Sequence, residues 1–320
     1  MSARTLERLA IGIDMGGTTT KYGVVRGHEI IHECEPLPTP EYKGAMALLK
    51  ALSAHVSALR KQFPGIAAVG MGVPGFADIS TGVVHELSNV DGWNEVPVTA
   101  TLTKETGLPS TVENDANAMA FAEYTHGAGK GSTNMIAVTL GTGVGGGLVL
   151  GGQLYRGSAF GAGEIGQMAI DYRGVAGEHG NIGALEKYVG NREVAALAAA
   201  LYKKAKRKVT AEDCTPRALA AAARRGDAVA RDVWDHFTTW LASGLCSCVW
   251  LLNPDRIVVG GGVARAGNLV LGPLKKKMQA QLAKPFRQHL DLVPAMFGNE
   301  AGILGAAAVA LEAAGRNRRK

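Results

Sequence analysis

Apolar positions along the chain change their period several times. The runs at 10–13, 22–25, 30–34 and 67–73 have the length and β-branched content of buried strands. Between the last two, residues 44–63 place leucines and valines three and four apart, which predicts a helix. Pro97 opens a shorter helix that Gly107 closes; 110–113 returns to strand, and 114–124 reads as an alanine-rich helix. The pattern then restarts with strands at 135–140 and 147–150, joined by a glycine turn. Residues 185–252 are mostly helical, with the apolar stretch 229–252 expected in the core. A strand at 256–259 runs into three glycines, and 268–284 and 300–314 read as further helices. No Pro/Ser linker or low-complexity tract divides the chain, so any domain boundary is a hinge inside one continuous α/β fold.

Residues 10–25 and 136–150 share one design, an apolar strand, a Gly/Thr-rich turn and a second apolar strand. Two related α/β halves are expected, each offering a turn of phosphate size. In such a turn glycines let successive backbone N–H groups approach an anion, and threonine hydroxyls add donors. Gly16, Gly17 and Thr18 form the first, although a Gly-Gly pair alone also marks an ordinary hairpin. Asp14, ending the strand before it, is placed to hold a magnesium ion or its waters. The second turn spells G-x-G-x-x-G at Gly141, Gly143 and Gly146, but a strand follows it instead of a helix, which disfavours a dinucleotide site of Rossmann type. No Walker motif is present: Gly129-Lys130 is followed by Gly131 and lacks the upstream glycine. The protein-kinase motifs H-R-D and D-F-G are absent too.

Composition narrows the classes. With 320 residues, 47% hydrophobic, 19% charged and 43 glycines, the chain is neither disordered nor a small disulfide-stapled module. Its four cysteines (34, 214, 246, 248) show no metal or redox spacing and read as reduced thiols. There is no signal-peptide core and no apolar stretch of about 18 residues, so a cytoplasmic protein without a membrane partner is expected. The formal charge of +6 comes largely from basic clusters at 203–208, 275–277 and 316–320. These read as solvated helix faces and a frayed end, or as attraction for a polyanion or a nucleotide's phosphates. No nucleic-acid partner is expected.

Taken together, IGIDMGGT at 11–18, GVPG at 72–75, ENDAN at 113–117, LGTGVGG at 140–146, GAGEIG at 161–166, NPD at 253–255 and GGG at 260–262 resemble the sugar-kinase branch of the actin-like ATPase (ribonuclease H-like) fold. More specifically, they resemble the bacterial family named for repressors, open reading frames and kinases. The resemblance implies two α/β domains around a cleft, with 1–117 plus 301–320 as the smaller and 118–300 as the larger. It implies ATP- and Mg²⁺-dependent phosphorylation of a hexose at its 6-hydroxyl, most often glucose. N-acetylhexosamine, mannose or fructose as acceptor, and polyphosphate as donor, are alternatives. A homodimer is the expected assembly. A sugar-responsive repressor is disfavoured, because the first phosphate motif begins within the opening fifteen residues and leaves no room for a winged helix.

By the same resemblance Asp115 is the general base. Gly75, Asn89, Asn114, Glu164, Gln167 and Glu186 join it around the sugar. Asp14, Gly16, Gly17, Thr18, Lys21, Gly141, Thr142 and Gly143 surround the phosphates and metal, and Gly260, Gly261 and Gly262 lie beside the adenosine. One departure stands out. Many members carry a histidine where this chain has Gln167, and a cysteine cluster where it has Gly177, His179, Gly180, Gly183 and Ala184. His179 alone cannot make a tetrahedral site, so no zinc is expected, and Gln167 is expected to bind the sugar directly.

Overall fold

In the computed structural model, which describes residues 8–87, 90, 92–177 and 179–317, strand β1 (Leu9–Met15) sorts its side chains by parity. Ile11, Ile13 and Met15 enter one apolar core, whereas Ala10 enters another on the opposite face, the face shared by Gly12 and Asp14. The first half continues through β2 (Thr19–Arg26), β3 (Glu29–Glu33), β4 (Leu37–Pro38), α1 (Ala45–Gln62) and β5 (Val69–Val73). A small antiparallel sheet of β6 (Phe76–Asp78), β7 (Val83–Glu86) and β8 (Asn94–Val96) follows, then α2 (Val98–Thr106), β9 (Ser110–Asn114) and α3 (Asp115–Thr125).

The second half opens with β10 (Met135–Leu140), β11 (Val144–Leu150) and β12 (Gln153–Tyr155). Helices α4 (Glu186–Val189), α5 (Asn191–Lys204), α6 (Pro216–Arg224) and α7 (Ala228–Leu252) come next. Then come β13 (Arg256–Gly260), α8 (Leu271–Gln281), α9 (Lys284–His289), β14 (Asp291–Pro294) and the last helix, α10 (Ala301–Asn317). The main sheets run β3-β2-β1-β5-β9 and β12-β11-β10-β13-β14, with β4 added at β2. In each, the first three strands in chain order form an antiparallel meander and two parallel strands complete the sheet. The internal repeat expected from sequence is therefore a repeat of topology. Strand β14 and the small sheet were not foreseen, and β11 begins at Val144, three residues earlier than its apolar run.

Helix α1 covers the outer face of the first sheet with Leu48, Leu49, Leu52 and Val56. Helices α5 to α8 cover the outer face of the second. Between the sheets lie α10, against the first, and α3, against the second. The contact is backbone to backbone: a Cβ on Gly12 would overlap the carbonyl of Ile303, one on Gly70 that of Ala306, and one on Gly305 that of Ala118. Gly145 and Gly147 of β11 lie similarly under Ala116 and Ala120 of α3. Among the described residues no helix is long and apolar enough to cross a membrane.

A methyl group at Gly305 has nowhere to go, because its neighbour is backbone. Gly305→Ala should destabilise the fold by about 1–3 kcal/mol or more in urea unfolding. Gly272→Ala, where a Cβ meets open space, should be neutral or slightly stabilising in the same measurement.

Candidate active site

The β9–α3 junction sets the centre of the site. Asn114 leaves the strand in extended conformation and caps the helix, its Oδ1 accepting from Asn117 N at 3.1 Å. The remaining amide end, Nδ2, donates to Gly75 O at 3.3 Å. Asp115 is the first residue of α3, and its Oδ1 accepts from Ala116 N at 2.8 Å. Its carboxyl is partly accessible yet packed closely enough that loss of hydration pushes its pKa up to about 6. The Ala116 amide pulls the other way, and the negative charges of Asp14 and Glu164 add to the rise. Glu164 comes from the opposite half, so this coupling places residues of both halves at one cleft.

Beneath Asp115 lies Glu113, whose side chain is 2% exposed. Its Oε1 accepts from Asn114 N and Asn117 Nδ2, both at 3.1 Å. Its Oε2 accepts from Arg156 Nε at 2.6 Å. Arg156 follows β12, and its carbonyl accepts from Ala162 N at 3.0 Å, closing the loop that leads to Glu164. This ion pair ties the base of the Asp115 junction to the loop carrying Glu164. Neither Glu113 nor Arg156 was singled out from sequence as a pair.

Asp14 ends β1 opposite Lys21. Burial raises its pKa and Lys21 opposes the rise. A Cβ on Gly302 would overlap its carboxylate, so α10 makes room for this group by carrying glycine there. The Gly16–Thr18 turn is held by Gly16 N→Thr19 O at 2.9 Å, Thr39 Oγ1→Gly16 O at 2.8 Å and Thr39 N→Thr18 O at 3.1 Å. It is a hairpin turn, clamped from outside by a buried threonine that leaves Gly17 and Thr18 accessible.

In the second turn Gly141 N donates to Gly143 O at 3.0 Å, and Gly141 O accepts from Asn191 N at 3.0 Å; Thr142 is exposed. Gly146 lies outside the turn, within β11, where a Cβ would collide with the Gly163 carbonyl and Ile165. Gly260 pairs with Thr139, and Gly261, at φ 85°, lies where a Cβ would overlap the Leu140 backbone. Gly260, Gly261 and Gly262 therefore adjoin the second turn, at the carboxyl ends of two parallel strands, where open α/β sheets receive ligands.

Glu186, which reads in isolation as a surface helix residue, points inward: its Oε2 accepts from Val144 N at 2.9 Å and fills the space left by Gly143. Burial raises the pKa of Glu164; Glu186 adds to the rise and His179 opposes it. Gln167 ends a 3₁₀ turn, Ile165–Gln167, and its backbone N donates to Glu164 O at 3.0 Å. Its side-chain Oε1 is buried and has no partner among the described residues. Asn89 lies outside the described residues. At the positions of the resembled zinc site, Gln167, Gly177 and Ala184 offer no thiolate, and among the described residues no three or more His, Cys, Asp or Glu are grouped to hold a metal ion.

Two sheets of one strand order, with carboxylates and glycine turns at the carboxyl ends of their parallel strands, define a protein of the actin-like ATPase fold. Residues 10–313 match the sequence model of the ROK family, and the chain belongs to that family. It is 35% identical over 314 residues to a glucokinase of Streptomyces coelicolor, covering 95% of this chain and 98% of that one. It is 33% identical over 304 residues to an N-acetylmannosamine kinase of Escherichia coli, covering 94% and 97%. Among solved structures, a ROK family glucokinase from Streptomyces griseus in complex with glucose and AMPPNP superposes with a TM-score of 0.79 at 32% identity, covering 95% of this chain and 99% of that one.

A carboxyl whose pKa rises from 3.8 to about 6 on folding binds its proton more tightly in the native state. Its ionisation therefore opposes folding, not at all below pH 3.8 and fully above pH 6. Asp115→Asn should stabilise the protein at pH 7 to 8 by up to roughly 3 kcal/mol, and the gain should shrink as the pH falls from 7 to 5. Urea unfolding of both proteins across that range measures it.

Proposed function

We propose that the protein transfers the γ-phosphoryl group of ATP to the 6-hydroxyl of a hexose, with glucose the foremost acceptor. The observation that carries this reading is Asp115: a carboxyl held at the start of α3, raised to about 6 and facing Glu164 from the other half. Such a group is ionised at neutral pH and still basic enough to take a proton from an alcohol as it attacks. The glucokinases among the relatives, and the structure holding glucose and AMPPNP, support the acceptor and the donor.

In this reading the two lobes are 1–117 with 301–320, and 118–300. The Gly16–Thr18 and Gly141–Gly143 turns receive the phosphates, with Lys21 near the first, and Gly260–Gly262 lie beside the adenosine. Asp14 fits Mg²⁺ or its waters, since burial leaves its carboxylate in need of positive charge and Lys21 is its near cation. When bound, the metal neutralises phosphate charge as transfer proceeds. No step here requires zinc, and the donor set at Gln167, Gly177 and Ala184 does not suit it.

Each sugar contact has valences left for a hydroxyl. Asn114 keeps one Nδ2 hydrogen and one Oδ1 lone pair after capping α3 and bonding Gly75. Glu186 keeps Oε1, and Gln167 has a buried Oε1 without a partner among the described residues. Asn89 and the Gly75 backbone complete the proposed set. Closure of the lobes would exclude water from the γ-phosphate. The assembly is proposed as a homodimer, with neither nucleic acid nor membrane as partner. A second donor, polyphosphate, is favoured by the open groove of about 550 Å³ lined by Lys203, Lys206, Arg207 and Lys208.

The deciding experiment is ADP release over a panel of hexoses and N-acetylhexosamines, with ATP and polyphosphate compared at fixed ionic strength. Turnover with glucose and ATP is expected; phosphorylation of no hexose by either donor would sink the reading. The acid limb of kcat/KM should fall near pH 6, and Asp115→Asn should lower kcat by roughly 10²-fold or more. Gln167→Ala should raise the sugar KM by about 2- to 10-fold with a smaller effect on kcat, because its bond exists before and during transfer alike. An unchanged KM would remove Gln167 from the site.

A further inference from the structure

The loop that leaves the Ile165–Gln167 turn and returns to α4 is closed like a narrow hairpin. Leu185 N donates to Met168 O at 2.8 Å, Ile170 N to Gly183 O at 2.9 Å and Gly183 N to Val175 O at 2.7 Å, with bridges pairing Ala169 with Ala184 and Ala176 with Ile182. At its tip Gly177 N donates to Asn181 O at 2.6 Å. The Asn181 side chain turns back into the loop, and its Nδ2 donates to the Gln167 carbonyl at 2.7 Å. One residue is thus bonded to the tip through its backbone and to the base through its side chain.

Near that amide lie positions at which this chain departs from the histidine and cysteine pattern of the resembled zinc site. A Cβ on Gly177 would overlap Asn181 Oδ1 and would lie 3.2 Å from the Ala184 Cβ. Gln167 and Gly177 therefore adjoin a single carboxamide, Ala184 lies next to Gly177, and none of the three offers a thiolate. We propose that Asn181 is the metal-free brace of the sugar site, a positioning residue that fixes the turn carrying Glu164 and Gln167.

The route is short. Asn181 holds the Gln167 carbonyl, and Gln167 N in turn is bonded to Glu164 O at 3.0 Å, so a single peptide run links the brace to both side chains. His179, two residues before Asn181, stands where its charge lowers the pKa of Glu164 against the effect of burial. Releasing Asn181 frees the tip that carries this imidazole as well as the turn. Among the described residues no hydrogen bond joins the Gly16–Thr18 or Gly141–Gly143 turn to Asn181, so the effect should fall on the sugar and not on ATP.

The proposal rests on the reading of Glu164 and Gln167 as sugar contacts, and the test separates the two. Asn181→Ala and the isosteric Asn181→Asp, which replaces the donor with a carboxylate facing a carbonyl, should both raise the KM and the Kd for glucose about fivefold or more. The kcat and the KM for ATP should stay within about twofold. Hydrogen exchange at the amides of Gly177, Gly183 and Leu185 should accelerate in both variants. In a Gln167→Ala background, Asn181→Ala should add less than it does alone, because one of the two contacts it positions is already gone while Glu164 remains. If Gln167→Ala raises KM while neither Asn181 variant does, the brace is overturned and the sugar site stands. If Gln167→Ala and the Asn181 variants all leave sugar affinity unchanged, the reading beneath it fails. About one tightly held zinc per chain in the purified protein would overturn the brace by a separate route.

Discussion

The structure depends on a contact in which no side chain intervenes: α10 lies directly on the backbone of β1 and β5 at Gly12 and Gly70, and on α3 at Gly305. Alternation along β1 and β5 explains how the sequence encodes this. Ile11, Ile13, Val69, Met71 and Val73 fill the outer core, while the other parity is given to Ala10, Gly12, Gly70 and Gly72. Close approach brings many atoms within dispersion range, so an Ala/Gly interface without large side chains still coheres. It also delivers the N-terminal turn of α10 to the end of β1. Gly302 there leaves the volume that the Asp14 carboxylate occupies. The packing rule and the site are one constraint.

Apolar contact alone does not fix angles, and the polar ties between the sheets do. Glu123 is fully buried on α3 and accepts from Ala128 N at 2.8 Å and from Met296 N and Phe297 N at 2.8 and 2.9 Å, binding α3 to the segment that enters α10. Within the second sheet, Asp255 accepts from Thr133 N and Asn134 N at 2.8 and 2.9 Å, joining the start of β13 to the approach to β10. Glu113 does the same between β9 and Arg156. In each case a carboxylate side chain sits among several directed donors, the arrangement in which a polar group is tolerated inside a fold and in which removing one partner is costly. The asparagine cap and the base candidate are carried on the Glu113 hub.

Elements with long, clean periodicity were legible in the sequence: β1, β2, α1, α3, β10, α7 and α10 lie within a few residues of their expected bounds. The paired turns and the topological repeat were legible as well, because both halves need glycine where strand meets strand. Short strands were not. Residues 76–78, 94–96 and 291–294 have three or four positions each and expose charged side chains, too few to show a period. Gly146 completes the G-x-G-x-x-G spelling in sequence, yet it lies within β11 against Gly163 and Ile165, and Gly145 and Gly147 beside it are packing glycines under α3. Glu186 and Arg156 gain their meaning from partners 42 and 43 positions away, Val144 and Glu113, which no local pattern announces.

The acids of the cleft pose an electrostatic problem that the fold resolves by separation. Asp14, Asp115 and Glu164 each have a raised pKa, chiefly from burial, and Asp115 feels the negative charge of the other two. Distributed evenly, such charge would repel the phosphates that the proposed reaction brings in. In the proposed reading the groups are partly segregated: Asp115 and Glu164 serve the side of a neutral, hydroxyl-rich acceptor, Gly16–Thr18 and Gly141–Gly143 present backbone to the anionic donor, and Glu186, against Gly143 and Val144 N, lies between the two. Asp14 also stands at the boundary, with Lys21 opposite. In the proposed reading a cation there would relieve both the buried carboxylate and the incoming charge. Raised pKa values are thus a consequence of building a neutral-ligand pocket from carboxylates next to an anion site. They oppose stability in the free protein wherever the carboxyls are ionised.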